Sequence, residues 1–236
     1  MGNGITVVLN ILIVVLILCS IGFSFMAFIN GSLSRRSVCY ALMIIGVLGY
    51  SLVGLIYTST FDAEKLLFTA SDITIPTMMY VFLLAALTLV RFSKKQFWQM
   101  ALLTAIPSFT YVIAVIFYAV MGGGLSLAVG IADIVDGERV LTMNTIPMIW
   151  QYLIIIIYWV IISMVYFKAL KSTRTDEEKK AIRSALIGIT IALIIALVFQ
   201  VLVGVVPHAH SIGHIGLFTV VFMSYKAFSR DYSIDD

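Results

Sequence analysis

The chain has 236 residues, 61% hydrophobic and 11% charged, with a formal net charge of +3 and a mean hydropathy of +1.09. A soluble domain carries roughly 25% charged residues, so a water-soluble core of this size cannot hide the apolar surface and lipid must cover it. The small positive balance does not point to nucleic acid, because the placement of the basic residues accounts for it.

Seven apolar stretches follow in chain order. They are read as one domain over 1–236, an all-α integral membrane seven-helix bundle. No cleavable signal peptide is expected, since MGNGITVV lacks a basic start and the first apolar run is long enough to span. Met1-Gly2 with Thr6 matches a loose myristoylation pattern, discounted because the topology puts that end outside. Cys19 and Cys39 read as small apolar residues rather than a disulfide framework.

Span 1 is expected over 5–30, with Asn10 its main polar residue, and it exits at NGSLSRRS. Span 2, over 38–57, carries Gly46, Gly49 and Gly54, read as a small-residue face that lets a neighbour approach. Span 3, over 66–90, holds Asp72, the one acidic residue inside any span, followed by Thr74, Pro76 and Thr77. Pro76 lacks a backbone donor and is expected to kink the helix one turn in. Span 4, over 97–121, opens with Trp98 and holds Pro107 in its first half.

The longest connection runs from Gly122 to Asn144, glycine-rich, with Asp133, Asp136 and Glu138. Its length marks it as a functional cover, and Leu125–Ile134 is apolar enough to lie on the membrane interface. Gly122–Gly124 follow a span and face outside, so they form no phosphate loop. Span 5, over 146–170, opens with Pro147 in its first turn, then Trp150 and Tyr152 at the outer interface. In the connector KSTRTDEEKKAIR, Thr175 and Glu178 have capping-box spacing, so a helix should start there in water and run into span 6, over 185–206. Most of that connector's charges read as a solvated helix end. Span 7 covers 211–229.

Thirteen of the fifteen Lys and Arg residues lie on alternate connections, and only Lys65 and Arg139 fall on the other side. The positive-inside rule then puts the N-terminus outside and the C-terminus in the cytoplasm.

Polar groups in lipid are costly and often mark a site. Asn10, Asp72, Thr74, Gln151 and Gln200 lie in the outer halves of their spans, with His210 and His214 at the outer end of span 7. This pattern predicts an outward-facing cavity that takes a small-molecule or lipid ligand, or a proton. The i, i+4 spacing of His210 and His214 puts both rings on one helix face and can chelate a metal. His208 and Asp72 would complete a zinc set. That arrangement resembles adiponectin-receptor and alkaline-ceramidase hydrolases, but the chain has no histidine before position 208, which those families need. A histidine pair titrating beside Asp72 is the alternative with more support, and plain interfacial histidines are the simplest reading.

Lys226 invites a retinal Schiff base, but it stands near the inner end of span 7, roughly 20 Å in depth from Asp72 at ~1.5 Å per residue. It is better read as a snorkelling lysine. Val90-Arg91-Phe92 stands where a G-protein-coupled receptor has Asp-Arg-Tyr, and span 7 lacks Asn-Pro-x-x-Tyr.

Three stretches carry a resemblance. They are KLLFTASDITIPTMMYVFLLAALTL with ALLTAIPSF, then YFKALKSTRTDEEKKAIRSALIGITIALIIALVF, then GLFTVVFMSYKAFSRDYSI. Across nearly the full chain they resemble the seven-span N-terminal sensor module of prokaryotic histidine kinases. The resemblance implies a non-enzymatic input module with no cofactor. Pro76 and Pro107 would let spans 3 and 4 shift, and Lys171, Arg174 and Lys226 would relay the change to a cytoplasmic signalling partner or across a homodimer. It departs from that family at Asp236, where the kinases continue into a dimerisation helix and an ATP-binding domain. The other readings are the zinc-dependent lipid hydrolase and a small transporter, which would need an internal repeat. The location expected is a prokaryotic plasma membrane.

Overall fold

The computed structural model describes residues 2–31, 34–59, 64–90, 92–121, 127, 129–135, 138–173, 175–202 and 209–229. Seven helices run in the order α1 (Gly2–Gly31), α2 (Arg35–Ser59), α3 (Glu64–Leu87), α4 (Lys94–Val120), α5 (Thr145–Ser172), α6 (Asp176–Leu202) and α7 (Ala209–Ser229). Each falls on one of the expected apolar stretches. Within them, five segments are long and apolar enough to cross a membrane: Val7–Ala27, Arg35–Val53, Thr69–Leu87, Lys94–Val120 and Thr145–Ser172. In α7, Ile215–Ser229 is a shorter apolar helix. The chain is a multi-pass membrane protein built as a helical bundle.

Local chemistry sets several helix ends. Ser93 caps α4 with a reciprocal box, its hydroxyl accepting from the Gln96 N–H while Gln96 Oε1 accepts from the Ser93 N–H. Thr175 Oγ1 accepts from the Glu178 N–H at 3.3 Å, so α6 starts in the charged connector as its spacing predicts. The Glu178 carboxylate does not close the box; it reaches across to Arg36. Pro76 and Pro107 sit inside helices that continue past them. Because α3 begins at Glu64, Pro76 lies about three turns in, not one.

The connection between α4 and α5 departs from expectation. Beyond the long glycine-rich cover expected there, β1 (Val129–Val135) and β2 (Glu138–Met143) pair antiparallel, with an irregularity between Ile131 and Asp133. Val135 pairs with Glu138, so Asp136 and Gly137 alone separate the strands. Asp-Gly between β-branched runs is a strong hairpin signal. Asn144 Nδ2 donates to the Leu127 carbonyl at 2.9 Å, tying this connection to the start of α5.

Two helices organise the bundle. α3 packs against α2, α4 and α5, and α7 packs against α6, α1 and α2. The tightest crossing is α6 with α7, and glycine makes it possible. A β-carbon on Gly188 would stand 2.7 Å from Met223 Cβ and 3.1 Å from the Thr219 carbonyl, and one on Gly216 would collide with Ile195. Thr219 Oγ1, 2.7 Å from the Gly216 carbonyl, also reaches the Gly188 carbonyl at 3.3 Å. On α2, the described glycines leave room for a side chain. A β-carbon on Gly46 would stand 3.4 Å from Met78 Cγ, an ordinary contact, and one on Gly49 would meet nothing within 4 Å. Gly54 lies among the side chains outside the described residues.

Candidate functional site

Asp72 falls on the buried face of α3. Ile75 and Met79, three and seven residues on, are core residues at 6% and 5% exposure, and this register carries Asp72 inside at 5%. Around it stand Tyr50 of α2 and Tyr111 of α4, both within electrostatic range of its carboxylate. Tyr50 also meets the Ser71 side chain. Tyr111 is fully buried, and its hydroxyl has no hydrogen-bond partner among the described residues. Its ring meets Trp150 edge-on at 5.2 Å. Next to Trp150, Gln151 is 3% exposed and its Nε2 is likewise without a partner among the described residues. Unpaired buried polar groups are uncommon, and Tyr111 is one that lies within electrostatic range of a buried carboxylate.

One turn further into the bundle lies an apolar pocket of about 40 Å³. Ile75, Met78 and Met79 of α3 form one wall, Trp159 of α5 and Leu193 of α6 face it, and Tyr50 stands at its edge. Trp159 Nε1 is buried with no partner among the described residues. A space this small admits about one water-sized group without movement, but methionine walls are adaptable. Tyr50 belongs to both places, so the pocket and the Asp72 surroundings are continuous.

Beside the pocket, the two proline segments are joined. Ser108 Oγ, one residue after Pro107, is 2.9 Å from the Pro76 carbonyl and 2.8 Å from the Tyr158 hydroxyl. Tyr158 in turn donates to the Thr104 carbonyl at 2.6 Å. All four residues are buried. The expected hinge pair is therefore a bonded junction of α3, α4 and α5.

At the other end of the bundle, Arg36 gathers three helices. Its Nε donates to the Thr88 carbonyl after α3 at 3.3 Å, and its Nη1 lies 3.5 Å from Glu178 Oε1 in α6. Nearby, Arg35 lies over the Phe97 ring at 4.7 Å, and Lys168 lies over Phe92 at 4.9 Å. The connector charges are thus not all solvated, because Glu178 is shielded and paired.

Of the residues expected at the site, Asp72 and Gln151 are buried on the packed pair α3 and α5. Thr74 is half-buried and donates to the Ser71 carbonyl of its own helix at 3.2 Å, so it is spoken for locally. Asn10 is on α1, which packs mainly against α7 and α2. Lys171 and Lys226 are exposed in the last turns of α5 and α7. Gln200, His210 and His214 are on α6 and α7, the two histidines in the first turns of α7, with side chains outside the described residues. His208 and Arg174 lie outside the described residues altogether. No group of three His, Cys, Asp or Glu that can hold a metal occurs among the described residues, and the histidines of the zinc alternative are not among them.

The residues that sequence reasoning missed share one trait. Tyr111, Tyr158 and Trp159 are polar aromatics deep in their helices rather than in the interfacial belts where such side chains gather. That displacement is the signal that singles them out. A scan of protein-family models finds no match to this chain. A search of characterised proteins finds no significant relative.

Proposed function

We propose that the chain is a non-enzymatic membrane sensor or receptor module, seven-spanning, with its N-terminus outside and its C-terminus in the cytoplasm. The stimulus is a small amphiphile or lipid that enters between α3, α5 and α6. Its apolar part occupies the pocket beside Met78 and Met79, and its polar end meets Trp159 Nε1 and the Tyr50–Asp72 surroundings. The observation that carries this reading is a buried carboxylate one turn from an apolar pocket whose indole donor, Trp159 Nε1, has no partner among the described residues. Apolar pockets with a few convergent polar groups are the usual form of a small-ligand site.

The small volume suggests how binding is read out. An occupant larger than about 40 Å³ must spread α3 and α5 from α6. Each of those helices has an inner end held at or near the Arg36 junction, so spreading in the outer half reaches α6 where Glu178 is paired. Basic inner ends at Lys171, Arg174 and Lys226 favour a cytoplasmic signalling partner of complementary charge, in keeping with the resemblance to histidine-kinase input modules. A prokaryotic plasma membrane fits the same resemblance.

Hydrogen–deuterium exchange of the chain in lipid nanodiscs tests the proposal. Asp72→Asn is expected to change exchange around Asp72 and also in the first turns of α6, at the opposite end of the bundle. A change confined to α3 and its outer-half neighbours would remove the relay reading.

A further inference from the structure

A second recess opens at the end of the bundle where α6 begins and α7 finishes. Its volume is about 660 Å³, in the size range of small-ligand sites. On α6, Glu177, Lys180, Ala181 and Ser184 line it, at the spacing of one helix face. On α7, Phe222, Tyr225 and Lys226 line it. Phe23 of α1 closes the far side, its ring edge-on to Phe222 at 5.2 Å and to Tyr225 at 4.9 Å. α7 packs against both α1 and α6, so it forms the floor while α1 and α6 form the walls.

The two lysines of the recess are not consumed internally. Asp176 pairs with Lys179, and Glu178 pairs with Arg36. Lys180 and Lys226 are exposed, line the recess from α6 and α7, and have no hydrogen bond or ion pair among the described residues. The apolar side is equally open. Cys19 precedes Phe23 by one turn on α1 and is exposed, and Ile187 follows Ser184 on α6 at 51% exposure. An apolar chain leaving the recess would run onto these lipid-facing surfaces.

We propose that this recess binds an anionic phospholipid. Its phosphate sits between Lys180 and Lys226, with the Ser184 hydroxyl as a further donor, and its first acyl carbons lie over Phe23 and Phe222. Two unpaired ammonium groups beside an aromatic floor match a headgroup with an attached chain better than a free anion. The recess is at the end of the bundle remote from Asp72, and the inference stands whether or not the sensor reading holds.

The test uses the full chain, delipidated in neutral detergent, with native mass spectrometry and thermal unfolding as readouts. The probes are mixed micelles containing dioleoyl phosphatidylglycerol, dioleoyl phosphatidylcholine, or inorganic phosphate with no lipid. Phosphatidylglycerol should bind and raise the unfolding temperature, and neither of the others should. The double variant Lys180→Gln/Lys226→Gln should bind it about thirtyfold more weakly, by the usual contribution of a lysine near an anionic lipid. Lys180→Arg/Lys226→Arg should keep most of the affinity, which shows that a loss in the glutamine variant is not misfolding. Equal shifts with phosphatidylcholine, or undiminished binding by the glutamine variant, would overturn the proposal. A shift of the same size with inorganic phosphate would replace the lipid by a soluble phosphate.

Discussion

Arg36 Nη1 of α2 stands 3.5 Å from Glu178 Oε1 of α6, with the two side chains only 19% and 15% exposed. The pair is therefore shielded, and removing one partner strands the other's charge. Glu178→Ala is expected to cost about 1–3 kcal/mol, more than the ≤1 kcal/mol of a surface pair. Arg36→Ala should cost at least as much, because it also frees the Thr88 carbonyl. The double variant should be less destabilised than the sum of the singles. Additive losses in thermal unfolding in detergent would show that the two charges are not coupled.

The α6–α7 crossing makes a prediction that distinguishes among glycines. Gly188→Ala forces its methyl against Met223 Cβ and the Thr219 carbonyl, atoms that cannot swing aside. Gly216→Ala does the same against Ile195. Each should cost about 1–3 kcal/mol, the range for overpacking a filled interior. Gly46→Ala, with 3.4 Å to Met78, should instead raise stability by about 0.5–1 kcal/mol through helix propensity. Unfolding temperatures of the three variants decide it, and a stable Gly188→Ala would mean the crossing can loosen.

The junction of the proline segments should behave as a unit. Tyr158→Phe removes the donor to the Thr104 carbonyl, and Ser108→Ala removes the donor to the Pro76 carbonyl. Each should cost about 0.6–1.5 kcal/mol, as measured for hydrogen bonds between membrane helices and in proteins generally. Because Ser108 and Tyr158 are themselves 2.8 Å apart, the double variant should fall short of the sum. Strict additivity in a double-mutant cycle would separate the Pro76 contact from the Tyr158 contact.

The helices were legible because length and hydropathy alone set them, since a span needs about 20 apolar residues. Polarity within a span singled out Asp72 and Gln151, and both are buried. Grouping those residues did not follow, because depth says nothing about which helices are neighbours. Asn10, grouped with Asp72 by depth, belongs to α1, which packs mainly against α7 and α2. The glycines show the same limit. Gly46 and Gly188 look alike in sequence, and only the facing residue, Met78 or Met223, decides which is a contact point. The hairpin went unread, although Asp136-Gly137 and the β-branched residues on either side carry its signal. The apolar run before it obscured that signal.

Tyr158 and Trp159 are adjacent on α5, and they offer an internal comparison. The Tyr158 hydroxyl is fully bonded, whereas Trp159 Nε1 is buried and without a partner among the described residues. An unmade buried bond already costs the folded chain about 1–3 kcal/mol. Trp159→Phe keeps an aromatic ring and removes that donor, so the gain in desolvation offsets the lost contact area. In delipidated protein Trp159→Phe should then unfold within about 1 kcal/mol of the wild type, while Tyr158→Phe should fall measurably below it. In a native-membrane extract the order should change. If an amphiphile accepts from Trp159 Nε1, the wild type gains stability there that Trp159→Phe does not. A Trp159→Phe penalty as large in delipidated protein as in the extract would mean that the indole is bonded within the chain, and the pocket would lose its one directional contact for a ligand.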